Sequence, residues 1–278
     1  MKKKTFTALL LAAAMCTTLL AGCGKTDESS ASADASASAD AEKKTFTVGF
    51  DAGFPPYGYK DDNGEYVGFD LDLAEEVCKR EGWELVKKPI DWDSKDMELT
   101  SGSIDCIWNG FTINGREDKY TFSEPYVNNT QVIVVKADSD IKDAADLAGK
   151  TVLVQADSSA LAALEDESKP ENIALAKTFK ELTQVPDYLT AFMSLDSGAA
   201  DAIAMDIGVA EYQISKRNSE YNILDTTLAS EQYGVGFKLG NTELRDTVQK
   251  VLDEMVKDGT FTKIAKKWGL EEAVCLGK

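Results

Sequence analysis

The chain has 278 residues, and 48 Asp and Glu against 30 Lys and Arg give it a formal net charge of −18 at pH 7. This acidity argues against nucleic acid and anionic lipid surfaces as partners, because both attract basic patches. The sequence has no histidine, which excludes Ser-His-Asp and Cys-His nucleophilic sites and most zinc chemistry. We therefore expect neither a metal nor a cofactor.

The first 22 residues have the features of a targeting segment. Lysines at positions 2–4 precede an apolar run over 6–20, which is short for a membrane-spanning helix. The run leads into Leu-Ala-Gly-Cys at 20–23, which resembles the cleavage box of bacterial lipoproteins. The resemblance implies a signal peptide over 1–22, a lipidated Cys23, and a lipid-anchored protein on the extracytoplasmic face of the cell membrane. The alternative is a plain secretory peptide with a chance cysteine.

Residues 23–44 are expected to form a tether. From 25 to 42 the composition is dominated by Ser, Ala and Asp, which cannot bury enough apolar surface to fold. The folded part then runs for about 230 residues, enough for two modest domains. It contains Cys78, Cys106 and Cys275 without a CxxC spacing, and the sequence leaves open whether two of them pair.

Alternation, glycines and turn residues predict the elements of the first half in chain order. A β-rich run over 45–50 predicts a strand, and Asp70 is predicted to cap a helix over 70–81 that ends at Gly82. The remaining predictions are strands over 66–69, 83–90, 104–108 and 130–135, and a helix over 95–101.

The second half continues the alternation of strands and helices. The predicted helices cover 141–148, 160–167, 185–197, 208–216, 243–257 and 261–268, and the predicted strands cover 151–154, 201–205 and 233–237. This order indicates an α/β architecture with a largely parallel sheet.

One loop and several strand ends carry the candidate site residues. The loop over 109–116 combines Gly110, Thr112 and Arg116 directly after a predicted strand, and an arginine offers a fork of donors that fits a carboxylate. The alternative is an ordinary surface loop. Asp51, Thr112, Gln155 and Asp206 all follow predicted strands, where ligands bind in open α/β sheets. The turn at Ser158 and Ser159 is either a second anion site or a routine helix cap.

Four motifs in order carry a family resemblance. They are Gly-Phe-Asp-Leu-Asp-Leu-Ala at 68–74, Gly-x-Thr…Arg at 110–116, Phe-Ser-x-Pro-Tyr at 122–126 and Lys-Asp-Gly-Thr…Lys-Trp at 257–268. Together they resemble the family 3 solute-binding proteins, the extracytoplasmic receptors of polar amino-acid ABC transporters. The resemblance covers nearly everything from Thr45 to Leu270.

The resemblance implies a periplasmic-binding-protein type II fold, in which two Rossmann-like α/β lobes are joined by two hinge strands. Lobe 1 would comprise 45–127 and 233–278, and lobe 2 would comprise 130–227. The hinges would lie at about 127–130 and 228–232. The partners implied are a free L-amino acid, a polar or basic one by preference, and an ABC transporter permease, with the receptor itself a monomer.

The resemblance also assigns roles to the candidate residues. Arg116 and Thr112, helped by Ser158 and Ser159, would hold the ligand carboxylate, and Asp206 with the Gly110 carbonyl would accept its ammonium. The ligand side chain would face Asp51, Phe54, Gln155, Asn109 and Trp108. The last of these, like Trp92, is as readily explained by core packing. Asp157 stands where the family usually has glycine, and its carboxylate would repel the ligand unless it points away.

Two other functions fit the same fold. One is an enzyme such as a cyclohexadienyl dehydratase, for which Glu98 and Glu124 would be candidate acids or bases. The other is a ligand-sensing module of a signalling receptor. We expect a binding protein and no enzyme.

Overall fold

The computed structural model describes residues 43–217 and 220–278. The predicted signal peptide, Cys23 and most of the tether lie outside the described residues.

Fourteen strands follow one another along the chain. They are β1 (Thr45–Phe50), β2 (Gly53–Phe54), β3 (Gly58–Lys60), β4 (Tyr66–Val67), β5 (Glu84–Pro89), β6 (Cys106–Ile107), β7 (Tyr120–Phe122), β8 (Val127–Lys136), β9 (Thr151–Gln155), β10 (Glu181–Val185), β11 (Ala202–Asp206), β12 (Tyr221–Ile223), β13 (Ala229–Tyr233) and β14 (Gly236–Lys238).

Eight α-helices alternate with them. They are α1 (Phe69–Glu81), α2 (Lys95–Ser101), α3 (Ser159–Glu165), α4 (Pro170–Ala176), α5 (Tyr188–Asp196), α6 (Ile207–Lys216), α7 (Thr242–Lys257) and α8 (Thr260–Trp268), with short 3₁₀ turns at Trp92–Ser94 and Ala144–Leu147.

The strands form two main sheets, each of mixed direction. The first has the order β5-β1-β6-β14-β7, in which β5, β1 and β6 are parallel and β14 runs antiparallel to its neighbours. The second has the order β10-β9-β11-β8-β12, in which β10, β9 and β11 are parallel and β8 is antiparallel to its partners. The expectation of a largely parallel sheet therefore holds for three strands of each sheet only.

The chain passes between the sheets twice. It leaves the first sheet after β7 and enters the second with β8, and it returns from β13 to β14. Strands β8 and β13 pair antiparallel, from Val127 opposite Tyr233 to Gln131 opposite Ala229. These two crossings explain the antiparallel strands, because a chain that leaves a parallel unit and returns to it adds strands of the opposite direction.

Most predicted elements are confirmed, and four are wrong in an informative way. The helix predicted over 141–148 is only a 3₁₀ turn, the helix predicted over 185–197 begins at Tyr188 after the unpredicted β10, and the strand predicted over 233–237 is split between β13 and β14. Asp70 does not cap α1, since Gly68 occupies the N-cap position and the Asp70 side chain is buried.

Three hydrophobic clusters stabilise the described residues. The largest includes α1, α7 and α8 packed on β1, and the second fills the face of the other sheet that α3 covers. Cys78 and Cys106 are buried free thiols and Cys275 is a half-buried one, so the described cysteines form no disulfide. Residues 43–217 and 220–278 contain no helix of the length and hydrophobicity that a membrane span needs.

Candidate functional site

Strand ends from both sheets meet at one place. Asp51 follows β1, Gln155 ends β9, and the Gln155 amide donates a 2.6 Å hydrogen bond to an Asp51 carboxylate oxygen. Likewise, Ser159 at the start of α3 donates a 2.8 Å hydrogen bond to the hydroxyl of Thr112, which follows β6. The residues predicted from strand ends are therefore brought together across the two sheets.

The loop at Gly110 is held by a residue that sequence reasoning placed elsewhere. Gly110 has a φ of 58°, and a Cβ there would lie 2.7 Å from a ring carbon of Phe54, so only glycine fits. Its N–H donates a 2.7 Å hydrogen bond to Asp70 Oδ2, which also accepts from the Tyr126 hydroxyl at 2.8 Å. Burial raises the pKa of Asp70 to about 7, and these two donors oppose the shift. Asp70 thus fixes the position of the Gly110 backbone.

Arg116 offers a guanidinium that no carboxylate neutralises. Its NH1 donates to Ser159 Oγ at 2.9 Å and to the Thr112 carbonyl at 3.3 Å, and its guanidinium carbon lies 5.2 Å from the Phe111 ring centroid. Within the described residues, no Asp or Glu forms an ion pair with it. A half-buried arginine of this kind is suited to binding an anion.

The turn before α3 divides its polar groups between two tasks. Ser158 is the N-cap, and its hydroxyl accepts from the Leu161 N–H at 3.2 Å. Ser159 instead contacts Arg116 and Thr112. The cap and the contact with Arg116 are therefore made by neighbouring serines.

Asp157, the unusual residue of this turn, is paired with a lysine from the other sheet's side. Its carboxylate forms an ion pair with Lys95 of α2, whose side chain is only 1% exposed. Asp157 has a φ of 54°, in the left-handed region that Asp tolerates better than most residues. The expected repulsion of an anion is thus offset by a buried ammonium group that sequence reasoning did not find.

Asp206 is buried and accepts four hydrogen bonds. Its Oδ1 accepts from Asn129 at 2.8 Å, from Gln131 at 2.6 Å and from the Tyr233 hydroxyl at 2.6 Å. Its Oδ2 accepts from the Tyr188 hydroxyl at 3.3 Å. Burial, followed by the charge of Glu231, raises the pKa of Asp206 well above its ordinary value. A positive group placed here would remove that strain.

Glu231 is a site residue that the sequence did not reveal. Its Oε1 accepts from Thr112, Asn129 and Gln131, each at 2.8 Å. It lies on β13, and its position opposite Asn129 depends on the pairing of β13 with β8. No motif marks this residue, because strand register is set by tertiary structure.

The region around Asp51 combines a carboxylate with aromatic walls. Besides Gln155, Asp51 accepts from the Gly53 N–H at 2.7 Å, and its own N–H donates to Asn109 Oδ1 at 3.0 Å. Burial raises the pKa of Asp51 to about 6. Phe54 lies beside it, with ring centroids 5.7 Å from Tyr57 and 5.9 Å from Tyr188.

The tryptophans lie in hydrophobic clusters. Trp108 is completely buried in the main cluster, and its indole nitrogen has no partner among the described residues. Trp92 packs edge-on against Phe111 in a smaller cluster. Packing therefore accounts for both rings, and no hydrogen bond joins either indole to the polar groups of the site among the described residues.

Comparisons with known proteins agree with this geometry. The profile of "Bacterial extracellular solute-binding proteins, family 3" matches residues 46–271. The L-cystine-binding protein TcyA of Bacillus subtilis is 32% identical over 271 residues, covering 96% of this chain and 97% of its own length. TcyJ of Escherichia coli, also an L-cystine-binding protein, is 31% identical over 230 residues, covering 82% and 83%.

A solved structure shares the fold as well. The substrate-binding protein of an ABC uptake transporter from Streptococcus pneumoniae, solved with bound histidine, superposes with a TM-score of 0.77 at 36% identity, covering 83% of this chain and 94% of that one. The fold is thus of the periplasmic-binding-protein type, with two α/β lobes. The chain belongs to the bacterial extracellular solute-binding proteins, family 3.

Proposed function

We propose that this chain is an extracytoplasmic receptor that binds an L-amino acid between its two lobes and delivers it to the permease of an ABC importer. The observation that carries the proposal is the pairing of opposite charges in one place. Arg116 has no acidic partner among the described residues, while Asp206 is buried without a cationic one. A zwitterion satisfies both groups at once.

Each end of the ligand has its own set of residues in this proposal. Arg116, Thr112, Ser158 and Ser159 hold the carboxylate. Asp206 and the Gly110 carbonyl accept the ammonium group. The ligand side chain faces a third set, formed by Asp51, Phe54, Trp108, Asn109 and Gln155.

The lobes follow the two sheets. Lobe 1 comprises 45–127 and 233–278, lobe 2 comprises 130–227, and the hinges are 127–130 and 228–232. The antiparallel pair of β8 and β13 supports this division. Since the residues for the two ends of the ligand come from both lobes, binding favours the closed arrangement.

The ligand is polar or basic rather than aliphatic. Asp51, Asp206 and Glu231 bring three buried carboxylates to the site, whereas Arg116 is its single cation without an acidic partner among the described residues. An excess of negative charge in a buried site favours a ligand with an additional positive group or several donors. The relatives named for cystine and the neighbour solved with histidine support a polar ligand.

The receptor releases its ligand unchanged and is held at the membrane through lipid on Cys23. The relatives are named as binding proteins, which supports the first point. The Leu-Ala-Gly-Cys sequence at 20–23 supports the second. Replacing Cys23 with Ala is expected to move the protein from the membrane fraction to the soluble fraction, and mass spectrometry of the recovered ligand checks that it is unaltered.

A thermal-shift screen tests the proposed function. The chain is unfolded in the presence of each of the twenty L-amino acids and of L-cystine, and a ligand that binds the folded state raises Tm by mass action. We expect one or a few polar compounds to raise Tm and to show one-to-one binding in calorimetry. If none of them shifts Tm, the proposed function is wrong.

A further inference from the structure

Two buried carboxylates share the same two amide donors at the ends of β11 and β13. Gln131 lies opposite Asp206 in one strand pair, and Asn129 lies opposite Glu231 in the other. The Asn129 amide nitrogen is 2.8 Å from an oxygen of each carboxylate. The Gln131 amide nitrogen is 2.6 Å from Asp206 and 2.8 Å from Glu231. The four side chains therefore form one closed network.

The same amides leave two acceptors unused. Asn129 Oδ1 and Gln131 Oε1 are buried without a donor among the described residues, and the two side chains are 3% and 0% exposed. The amide orientation follows from the network, because a flipped amide would present its oxygen to a carboxylate. Buried oxygens of this kind require a donor, and a primary ammonium group carries three.

The charged and titratable groups around the pair offer no nearby neutralising cation. Asp206 is faced by Tyr57 from the β2–β3 turn, Tyr188 from α5, and Tyr233 and Glu231 from β13. Glu231 also borders a cavity of about 650 Å³, whose other charged residues are Arg116, Lys119, Asp157, Glu165, Asp166 and Lys169. None of these lysines or arginines forms an ion pair with either carboxylate in the described part of the chain.

We propose that Glu231 is a further ligand-binding residue, which forms with Asp206 a two-carboxylate receptor for the ammonium group of the ligand and shares one proton with Asp206 until that group displaces it. The inference rests on the proposed function, since it names how the ammonium end is recognised. The step balances: the protonated pair carries one negative charge, the incoming ammonium group keeps its three protons, and the displaced proton passes to solvent.

The electrostatics of the pair agree with this exchange. Two like charges that share donors in a buried site hold a proton more strongly than either would alone. The pKa of Asp206 is raised by burial and by Glu231, which is the direction that the exchange requires. An ammonium group within hydrogen-bonding distance of both oxygens reverses both effects.

Calorimetry on the wild-type chain provides the first test. The probe is whichever of L-arginine, L-glutamine and L-cystine gives the largest rise in Tm, titrated at pH 6 in buffers of different ionisation enthalpy. We expect binding to release a fraction of a proton at pH 6 and almost none at pH 8.5, and affinity to rise by up to about tenfold per pH unit between them. Binding without proton release at pH 6 overturns the inference and leaves the proposed function intact.

Variants of Glu231 provide the second test. Glu231→Gln removes the second charge while keeping the shape, so proton release should fall and the affinity at pH 8 should drop by at least tenfold. Glu231→Asp should retain part of the proton release, and Glu165→Gln, an exposed carboxylate on the same cavity, should behave as wild type. A Glu231→Gln chain with wild-type affinity and proton release overturns the inference. Failure of the wild type to bind any probe overturns the proposed function as well.

Discussion

The amide nitrogen of Gln155 lies 2.6 Å from a carboxylate oxygen of Asp51, and this hydrogen bond joins the end of β9 to the loop after β1. The two strands belong to different sheets. The same amide also donates to the Pro186 carbonyl at 3.0 Å. The residues proposed to face the ligand side chain are therefore held by contacts that cross between the sheets.

Asp51 is expected to control selectivity more than overall binding. Asp51→Ala should weaken basic ligands by at least about tenfold, since a charge-assisted hydrogen bond contributes about 1.5–3 kcal/mol, and should change neutral ligands much less. Calorimetry with L-arginine and L-glutamine measures the two effects, and Asp225→Ala, an exposed carboxylate, is the control. Equal weakening of both ligands would mean that Asp51 has a structural role only.

Arg116→Ala is expected to abolish amino-acid binding without unfolding the chain. The guanidinium is the donor proposed for the ligand carboxylate, and loss of one partner of such a pair costs about 3–5 kcal/mol. Arg116→Lys keeps the charge but not the fork, so it should recover only part of the affinity. Lys119→Ala removes a positive charge from the same loop and should bind nearly as wild type. Near-native affinity for Arg116→Ala would contradict the site assignment.

The fold was predictable where local signals and tertiary structure agree. Gly82 and Gly102 end α1 and α2 in the left-handed conformation, as their positions predict. By contrast, β10 was missed and α5 was extended to Val185, although Asp187 accepts from the Thr190 N–H as an N-cap. The residues of β10 are mostly half-buried or exposed, so their alternation is weak.

The candidate site was predictable to the extent that it lies at strand ends. Asp51, Gln155 and Asp206 were found because parallel strands present their carboxyl ends at one edge. Glu231 and Lys95 were not found, because a strand register and the packing of a helix place them there. Asp70 was interpreted as a helix cap, which its type and position suggested, but its carboxylate is directed to the Gly110 loop.

The ion pair of Lys95 and Asp157 predicts an asymmetry between two variants. Asp157→Asn leaves the Lys95 ammonium buried with only the carbonyls of Trp92 and residue 157 as partners, at 3.3 and 3.4 Å. Lys95→Met removes the buried charge, and the half-exposed Asp157 can be solvated. We expect Asp157→Asn to lower the free energy of unfolding by about 1–3 kcal/mol and Lys95→Met by less. Urea unfolding measures both, and Glu254→Gln, in an exposed pair with Lys250, is the control. A larger loss for Lys95→Met would contradict this account.

Asp70 predicts a fall in stability as the pH rises. Burial raises its pKa from 3.8 to about 7, so the folded state holds more protons than the unfolded state between about pH 4 and 7, and stability is lost through that window. At about 1.4 kcal/mol per pKa unit, the loss is about 4 kcal/mol at most. Asp51 and Asp206 act in the same direction, so the comparison with Asp70→Asn isolates this group. Urea unfolding from pH 5 to 8 should show a shallower fall for Asp70→Asn. Tyr126→Phe removes a donor to the ionised carboxylate and should extend the fall to higher pH. Parallel curves for the wild type and Asp70→Asn would show that Asp70 does not titrate in this window.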